Sequence, residues 1–232
     1  MSNIRVLYED NHIIAVVKPA GMLSQGDKTG DLSLFDEVKN YLKEKKNKKT
    51  PSNPSGQAGN VFLGLLHRLD RPVLGIMLFA KTSKGASRLS EQFRNHTIEK
   101  TYHAIVQGTP EKSKGVLKNT LIKDEKLKKG RENAGGQEAR LYYEVIKSHE
   151  NYSLLKIKID TGKFHQIRVQ LSLAGLPILG DVKYGASGPL PDKSIALCAT
   201  NITFRAATEE KMIALHLDVP KEWQAYLSTE RA

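Results

Sequence analysis

The stretch VFLGLLHRLDRPVLGIMLFA, residues 61–80, decides how the chain is read. Two apolar runs of strand length, 61–66 and 74–80, flank the polar insert His67-Arg68-Leu69-Asp70-Arg71-Pro72. Apolar runs of this length, bounded by turn residues, predict strands. The insert then projects from the end of a sheet as a loop, the place where a rigid scaffold carries reactive groups. Asp70 stands between Arg68 and Arg71, and nearby positive charge favours the ionised form that a carboxylate nucleophile needs. Taken alone, the same six residues also read as a charged connection with local ion pairs.

Upstream of this segment, residues 4–8 and 12–17 predict two short strands around Glu9-Asp10-Asn11, the second stopped by Lys18-Pro19-Ala20-Gly21. Ser33-Leu34-Phe35-Asp36 has the form of a capping box. The helix it opens carries an apolar stripe of Leu34, Phe35, Val38, Tyr41 and Leu42. The stripe ends at Lys43, and residues 43–60, rich in Lys, Pro, Ser and Gly, predict a mobile basic loop. Downstream, a helix is expected over 82–95 and a strand over 100–106. A second basic loop is expected over 111–137, then paired strands over 141–146 and 152–159. A helix from 164 to 174, a loop over 181–192, strands at 195–199 and 212–217 and a last helix over 221–227 complete the pattern. Strands with interspersed helices and no βαβ rhythm predict an α+β fold, a mixed or antiparallel sheet with helices on its faces. The organisation expected is one domain over 1–232, with the two basic loops near 43–60 and 111–137.

Composition narrows the function. The 232 residues hold 36 Lys and Arg against 25 Asp and Glu, a formal net charge of +11. The isoelectric point is near 9.6 and the mean hydropathy −0.42. That balance fits phosphate polyanions better than cationic ligands. A lone cysteine, Cys198, excludes an intrachain disulfide and a cysteine-cluster metal site. There is no signal-peptide pattern at the start and no apolar run near the roughly 20 residues of a membrane helix, so a cytoplasmic protein is expected. Phosphate-binding loops, dinucleotide fingerprints, zinc-protease helices and nucleophile elbows are absent, and no cofactor or metal is expected.

Three further segments carry candidate chemistry. Thr161-Gly162-Lys163-Phe164-His165-Gln166-Ile167-Arg168 joins a strand end, a glycine turn and a helix start, where an anion is favoured. Arg168 lies one turn into that helix, within reach of the same place, whereas His165 ordinarily serves as a hydrogen-bonded structural histidine. Tyr102 alternates on a strand, as core and cross-strand tyrosines do. Asp181, in Gly180-Asp181-Val182-Lys183-Tyr184-Gly185, reads as a turn residue that caps backbone groups.

These segments, in this order, resemble the RluA-type RNA pseudouridine synthases. The matching parts are Tyr8-Glu9-Asp10 with Val17-Lys18-Pro19-Ala20-Gly21, and His67-Arg68-Leu69-Asp70 with the Gly75-containing strand. Lys100-Thr101-Tyr102 follows, then Gly162 through Arg168 with Gly175, Pro177 and Gly180-Asp181. The resemblance implies a bent, mixed, largely antiparallel sheet with flanking helices and a central basic cleft. It implies that Asp70 is the catalytic aspartate, that Tyr102 lies against the uracil, and that Arg168 pairs with Asp70. Arg68 then sits where the flipped base leaves its stack. His67, Arg71, Lys163, His165 and Gln166 belong to the same RNA-binding region. The family's usual Thr-Ser pair is Val73-Leu74 here, and Phe164 replaces a frequent Thr.

The function expected is isomerisation of specific uridines in structured ribosomal or transfer RNA by a monomer that needs no membrane. A phenol ionises near pH 10, so Tyr102 is better suited to stacking than to proton abstraction. Many relatives carry a separate N-terminal RNA-binding domain. This chain begins almost at the catalytic segments, so Lys45, Lys46, Lys48 and Lys49 are expected to grip phosphates. The alternative is a non-catalytic RNA-binding or ribosome-assembly module on the same scaffold, which the joint presence of Asp70, Tyr102 and Arg168 disfavours. A nucleoside or phosphate hydrolase would need a metal cluster or a second carboxylate that the sequence does not place.

Overall fold

A computed structural model describes residues 4–49 and 61–228. They form two compact units, one drawn from Met1–Ile98 and Thr203–Leu215, the other from Glu99–Ile202 and His216–Ala232.

In the first unit, β1 (Arg5–Glu9) and β2 (Ile13–Lys18) form an antiparallel hairpin. Asp10 shapes its turn, its Oδ1 accepting from the amides of His12 and Ile13 at 2.7 Å each. Helix α1 spans Leu34–Lys49, strand β3 is Gly64–Leu65, and β4 is Leu74–Ala80. β2 pairs antiparallel with β4 from Ile13↔Ala80 to Lys18↔Gly75, and β3 adds to β4 at Gly64↔Ala80. Residues 13–16 and 76–80 are buried throughout, as uninterrupted apolar runs require. Helix α2 (Ser83–Arg94) is capped by Thr82, whose Oγ1 accepts from the Gly85 amide. Gly85 lets α2 approach the hairpin turn, since a Cβ there would stand 2.5 Å from the His12 carbonyl oxygen.

In the second unit, β5 (Glu99–Gln107), β6 (Lys114–Asp124), β7 (Lys129–Glu132), β8 (Gln137–His149) and β9 (Tyr152–Ile159) form an antiparallel sheet. The spatial order is β5-β9-β8-β6-β7. Helix α3 (Gln166–Leu173) packs on it through Gln170, whose amide donates to the carbonyls of Leu117 and Ala139 and to Asn119 Oδ1. A 3-10 turn follows at Val182–Tyr184. Strand β10 (Leu197–Arg205) begins in this unit and ends in the first, where β11 (Met212–His216) pairs with it. A 3-10 helix at Lys221–Tyr226 stands where a last α-helix is expected.

Three expectations need correction. Residues 43–49 are not loop: α1 runs to Lys49, because Lys and Glu sustain a helix without an apolar stripe. The rest of that expected loop, 50–60, lies outside the described residues. Residues 111–137 are not loop either. They contain β6 and β7, joined by a turn in which Asp124 Oδ1 accepts from the amides of Lys126 and Leu127 and Lys128 is left-handed. Their period-2 signal is muted because exposed Val116 stands between Lys114 and Lys118 on the outward side and Asn119 holds an inward position. The strand expected over 61–66 is reduced to Gly64–Leu65.

Candidate active site

In the first unit, the 67–72 loop is tied down from inside. Leu69 is buried, and Ser24 clasps its backbone: Ser24 Oγ donates to the Leu69 carbonyl at 2.7 Å and accepts from the Leu69 amide at 3.1 Å. With Leu69 turned inward, its neighbours turn outward, leaving Arg68 exposed and Asp70 half-buried. The Asp70 carbonyl accepts from the Val73 amide at 3.0 Å, closing the turn before β4. Val73, where the family usually has Thr, is buried and supports the loop by packing. Gly21, at φ +84°, donates its amide to the Arg71 carbonyl at 2.8 Å and accepts from Arg71 Nε at 2.9 Å. Arg71 also meets Asp31 at 2.8 Å.

Beneath this loop lies Lys18, fully buried. Its Nζ donates to the carbonyls of Pro19, Met22 and Arg71 at 2.9, 2.7 and 3.0 Å. Burial pushes its pKa down to about 7, with the charge of Asp70 opposing that shift and Arg71 adding to it. Three carbonyl acceptors match the three N–H bonds of an ammonium. A buried lysine thus braces the segment that carries Asp70.

In the second unit, Tyr102 sits on β5 opposite Ile157, only 7% exposed. Arg168 lies on α3 and is also buried. Its Nε donates to Asp181 Oδ2 at 2.7 Å and its Nη2 to Asp181 Oδ1 at 2.8 Å, a bidentate pair. Asp181 therefore does not cap backbone groups with its side chain, as its turn setting suggested. Its carboxylate turns inward to orient the arginine. Gly180, at φ +87°, permits that turn: a Cβ there would press on the Ser194 carbonyl at 2.8 Å.

The other residues singled out from sequence are placed as follows. His67 Nε2 accepts from the Leu78 amide at 3.0 Å, and its ring lies beside Phe93, so it braces β4. Gln166 is buried, with Oε1 accepting from Thr161 Oγ1 and the Lys163 amide and Nε2 donating to the Arg140 carbonyl. Lys163 Nζ donates to Gln137 Oε1 at 2.7 Å. His165 is left-handed at φ +53°, stacks on Phe164 at 3.8 Å, and meets the Tyr184 hydroxyl through Nδ1 at 2.8 Å. Lys45 bonds Glu9 at 2.5 Å, and Lys81 bonds the same carboxylate at 2.6 Å. Burial raises the Glu9 carboxyl, but the two lysines outweigh it and leave the pKa lowered. Lys46 is exposed on α1, and Lys48 and Lys49 continue that helix.

Sequence reasoning assigned no role to Lys18 or Ser24, and it missed the Asp181 grip on Arg168. Lys18 stood in plain view before Pro19, but nothing local distinguishes a buried lysine from a surface one. The Arg168–Asp181 pair spans thirteen positions and a helix end.

Known proteins share this pattern of sequence and structure. A sequence model of the family described as RNA pseudouridylate synthase matches residues 12–173. A ribosomal large subunit pseudouridine synthase C of Rickettsia typhi is 34% identical over 224 residues, covering 93% of this chain and 68% of that protein. An uncharacterised RNA pseudouridine synthase of Zymomonas mobilis is 32% identical over 223 residues, covering 94% of each. The solved structure of human RNA pseudouridylate synthase domain containing 4 shares the fold, with a TM-score of 0.74 and 24% identity over 95% of this chain and 90% of that one. The motifs in their order, the fold and these likenesses agree, and the chain belongs to the RNA pseudouridylate synthase family, the isomerases that convert uridine to pseudouridine in RNA.

Proposed function

We propose that this enzyme modifies uridines of ribosomal RNA, with Asp70 as the catalytic aspartate, Tyr102 against the uracil and Arg168 as the cationic partner of Asp70. The carrying observation is the loop itself. Ser24 and Lys18 fix its backbone from below, so that Arg68 and Asp70 are presented on a braced turn. The relatives named for the large ribosomal subunit support the RNA class.

The reaction breaks the bond from the sugar C1′ to N1 of uracil, turns the base and joins C1′ to C5. The proton leaves C5, N1 gains one, and the atoms balance without a co-reactant. A carboxylate can add to the sugar or stabilise its cationic character during cleavage. An arginine keeps such a carboxylate ionised and aligned, which a lysine's point charge does less well. The target must leave its stack, at a cost of roughly a few kcal/mol, and contacts of Arg68 and the surface lysines with phosphates offset it. The same reading has a monomer working in the cytoplasm. Among the described residues no helix is long and apolar enough to cross a membrane.

The test is to map pseudouridines in ribosomal RNA from cells with the enzyme, without it, and with Asp70→Asn. One or more sites should vanish in both altered strains, while purified Asp70→Asn protein still binds RNA. Sites that persist with Asp70→Asn would remove Asp70 from the chemistry. Sites lost only from transfer RNA would move the substrate class.

A further inference from the structure

Tyr184 stands where three parts of the second unit meet. Its hydroxyl accepts from the Gly130 amide of β7 at 2.7 Å and shares a hydrogen bond with Nδ1 of His165 at 2.8 Å. Its carbonyl accepts from Ser172 Oγ of α3 at 2.7 Å. The centre of its ring is 5.0 Å from Lys129 Nζ and 4.9 Å from the guanidinium carbon of Arg168, both within cation–π range. Asp181, three residues earlier, grips that guanidinium bidentately, and its carbonyl accepts from the Tyr184 amide at 2.9 Å.

The strand β7 is fitted closely to this residue. A Cβ at Gly130 would stand 2.6 Å from Val169 Cγ2 and 2.9 Å from the Phe164 carbonyl oxygen, so only glycine admits the approach. Lys183 Nζ ties the 3-10 turn to the Lys128 carbonyl at 2.6 Å. The β6–β7 hairpin that is held this way carries Lys123, Lys126, Lys128, Lys129 and Arg131, a set of cations suited to a phosphate backbone. One phenol therefore reads the position of a basic hairpin at its hydroxyl and meets Arg168 at its ring.

We propose that Tyr184, together with Asp181, is a positioning residue for Arg168, and that it makes the placement of the guanidinium depend on the β6–β7 hairpin. The inference rests on the reading in which Arg168 serves the isomerisation. Where RNA holds the hairpin, Gly130 and Lys129 hold Tyr184, and Tyr184 holds Arg168 against Asp181. The binding contacts and the catalytic geometry are thereby linked through a single side chain.

Tyr184→Phe keeps the ring, its packing and both cation–π contacts, and removes only the hydroxyl bonds. In single-turnover assays on a ribosomal RNA fragment at saturating enzyme, the rate should fall roughly tenfold, the equivalent of about one hydrogen bond. RNA affinity should stay near wild type, and the thermal midpoint should fall by only the several degrees that an unpartnered buried Gly130 amide costs, leaving the variant folded at the assay temperature. Asp181→Asn should give a loss of the same kind, in rate rather than in affinity. In a double-mutant cycle with Arg168→Lys, the Tyr184→Phe loss should shrink, because the two changes disturb one group. A Tyr184→Phe rate equal to wild type, a loss confined to affinity, or fully multiplicative losses would overturn the proposal. Arg168→Lys separates the two levels of the argument. If that variant is slow while Tyr184→Phe is at full speed, the positioning role alone fails. If Arg168→Lys turns over like wild type, the assignment of Arg168 fails and takes the positioning role with it.

Discussion

Ser24→Ala removes one oxygen and isolates the backbone of the residue next to Asp70. The hydroxyl donates to the Leu69 carbonyl at 2.7 Å and accepts from the Leu69 amide at 3.1 Å, and both residues are buried. A buried polar group left without its partner costs about 1–3 kcal/mol, so two such groups place the loss at roughly 2–6 kcal/mol. Against a typical total of about 5–15 kcal/mol, that is a large share of the stability. Urea denaturation should therefore show a lower midpoint with an unchanged slope. Below the onset of unfolding, the loop can relieve the deficit by turning Leu69 toward water, which carries Asp70 with it. Single-turnover rates at saturating RNA should then fall while affinity holds. An unfolding free energy within about 0.5 kcal/mol of wild type would refute the argument, because surface substitutions fall in that range.

Two further outcomes follow from the charges. Lys18 has a folded-state pKa of about 7, below its ordinary 10.5, so the unfolded chain binds more protons between those values and stability rises with pH there. Unfolding measured from pH 7 to 9 should give wild type a slope about 1.4 kcal/mol per pH unit steeper than Lys18→Met; parallel curves would show that Lys18 does not titrate in that window. Changing Lys45, Lys46, Lys48 and Lys49 to Gln should flatten the dependence of log affinity on log salt by about 0.7–0.9 for each phosphate no longer neutralised. If neither that variant nor the matching change of Lys123, Lys126, Lys128 and Lys129 alters the slope, these lysines do not touch RNA.

How far the sequence could be read depended on whether a feature is local. Ser33 and Asp36 form their reciprocal cap, with Ser33 Oγ donating to Asp36 Oδ2 at 2.6 Å, because everything it needs lies within four positions. The largely apolar runs at 12–17 and 74–80 announced strands for the same reason. The β6–β7 hairpin was hidden because lysines on its open side and Asn119 on the other mask the alternation. The site divides along the same line. Asp70 was visible between its arginines, and Arg168 beside a glycine turn. The groups that brace them, Ser24 and Lys18 beneath one loop and Asp181 and Tyr184 around one helix, come from distant parts of the chain. Their side chains look like ordinary surface residues until folding buries them.

Strand β10 carries the chain from the second unit into the first, and this sets an order of events during synthesis. The first unit needs Thr203–Leu215: Gln92 exchanges two hydrogen bonds with the backbone of Arg205, and Phe204 meets Tyr8 edge-on. Once Ile98 has left the ribosome, roughly 100 residues must follow before that segment appears, about 5–20 s at ordinary elongation rates. Over that interval the strand that bears the Asp70 loop waits with its partners incomplete. The five strands β5 to β9 of the second unit run consecutively and can pair before Thr203 is made, although that unit's own last segment, from His216, follows later. The β5–β9 sheet can thus pair on a nascent chain whose Asp70-bearing unit still lacks Thr203–Leu215.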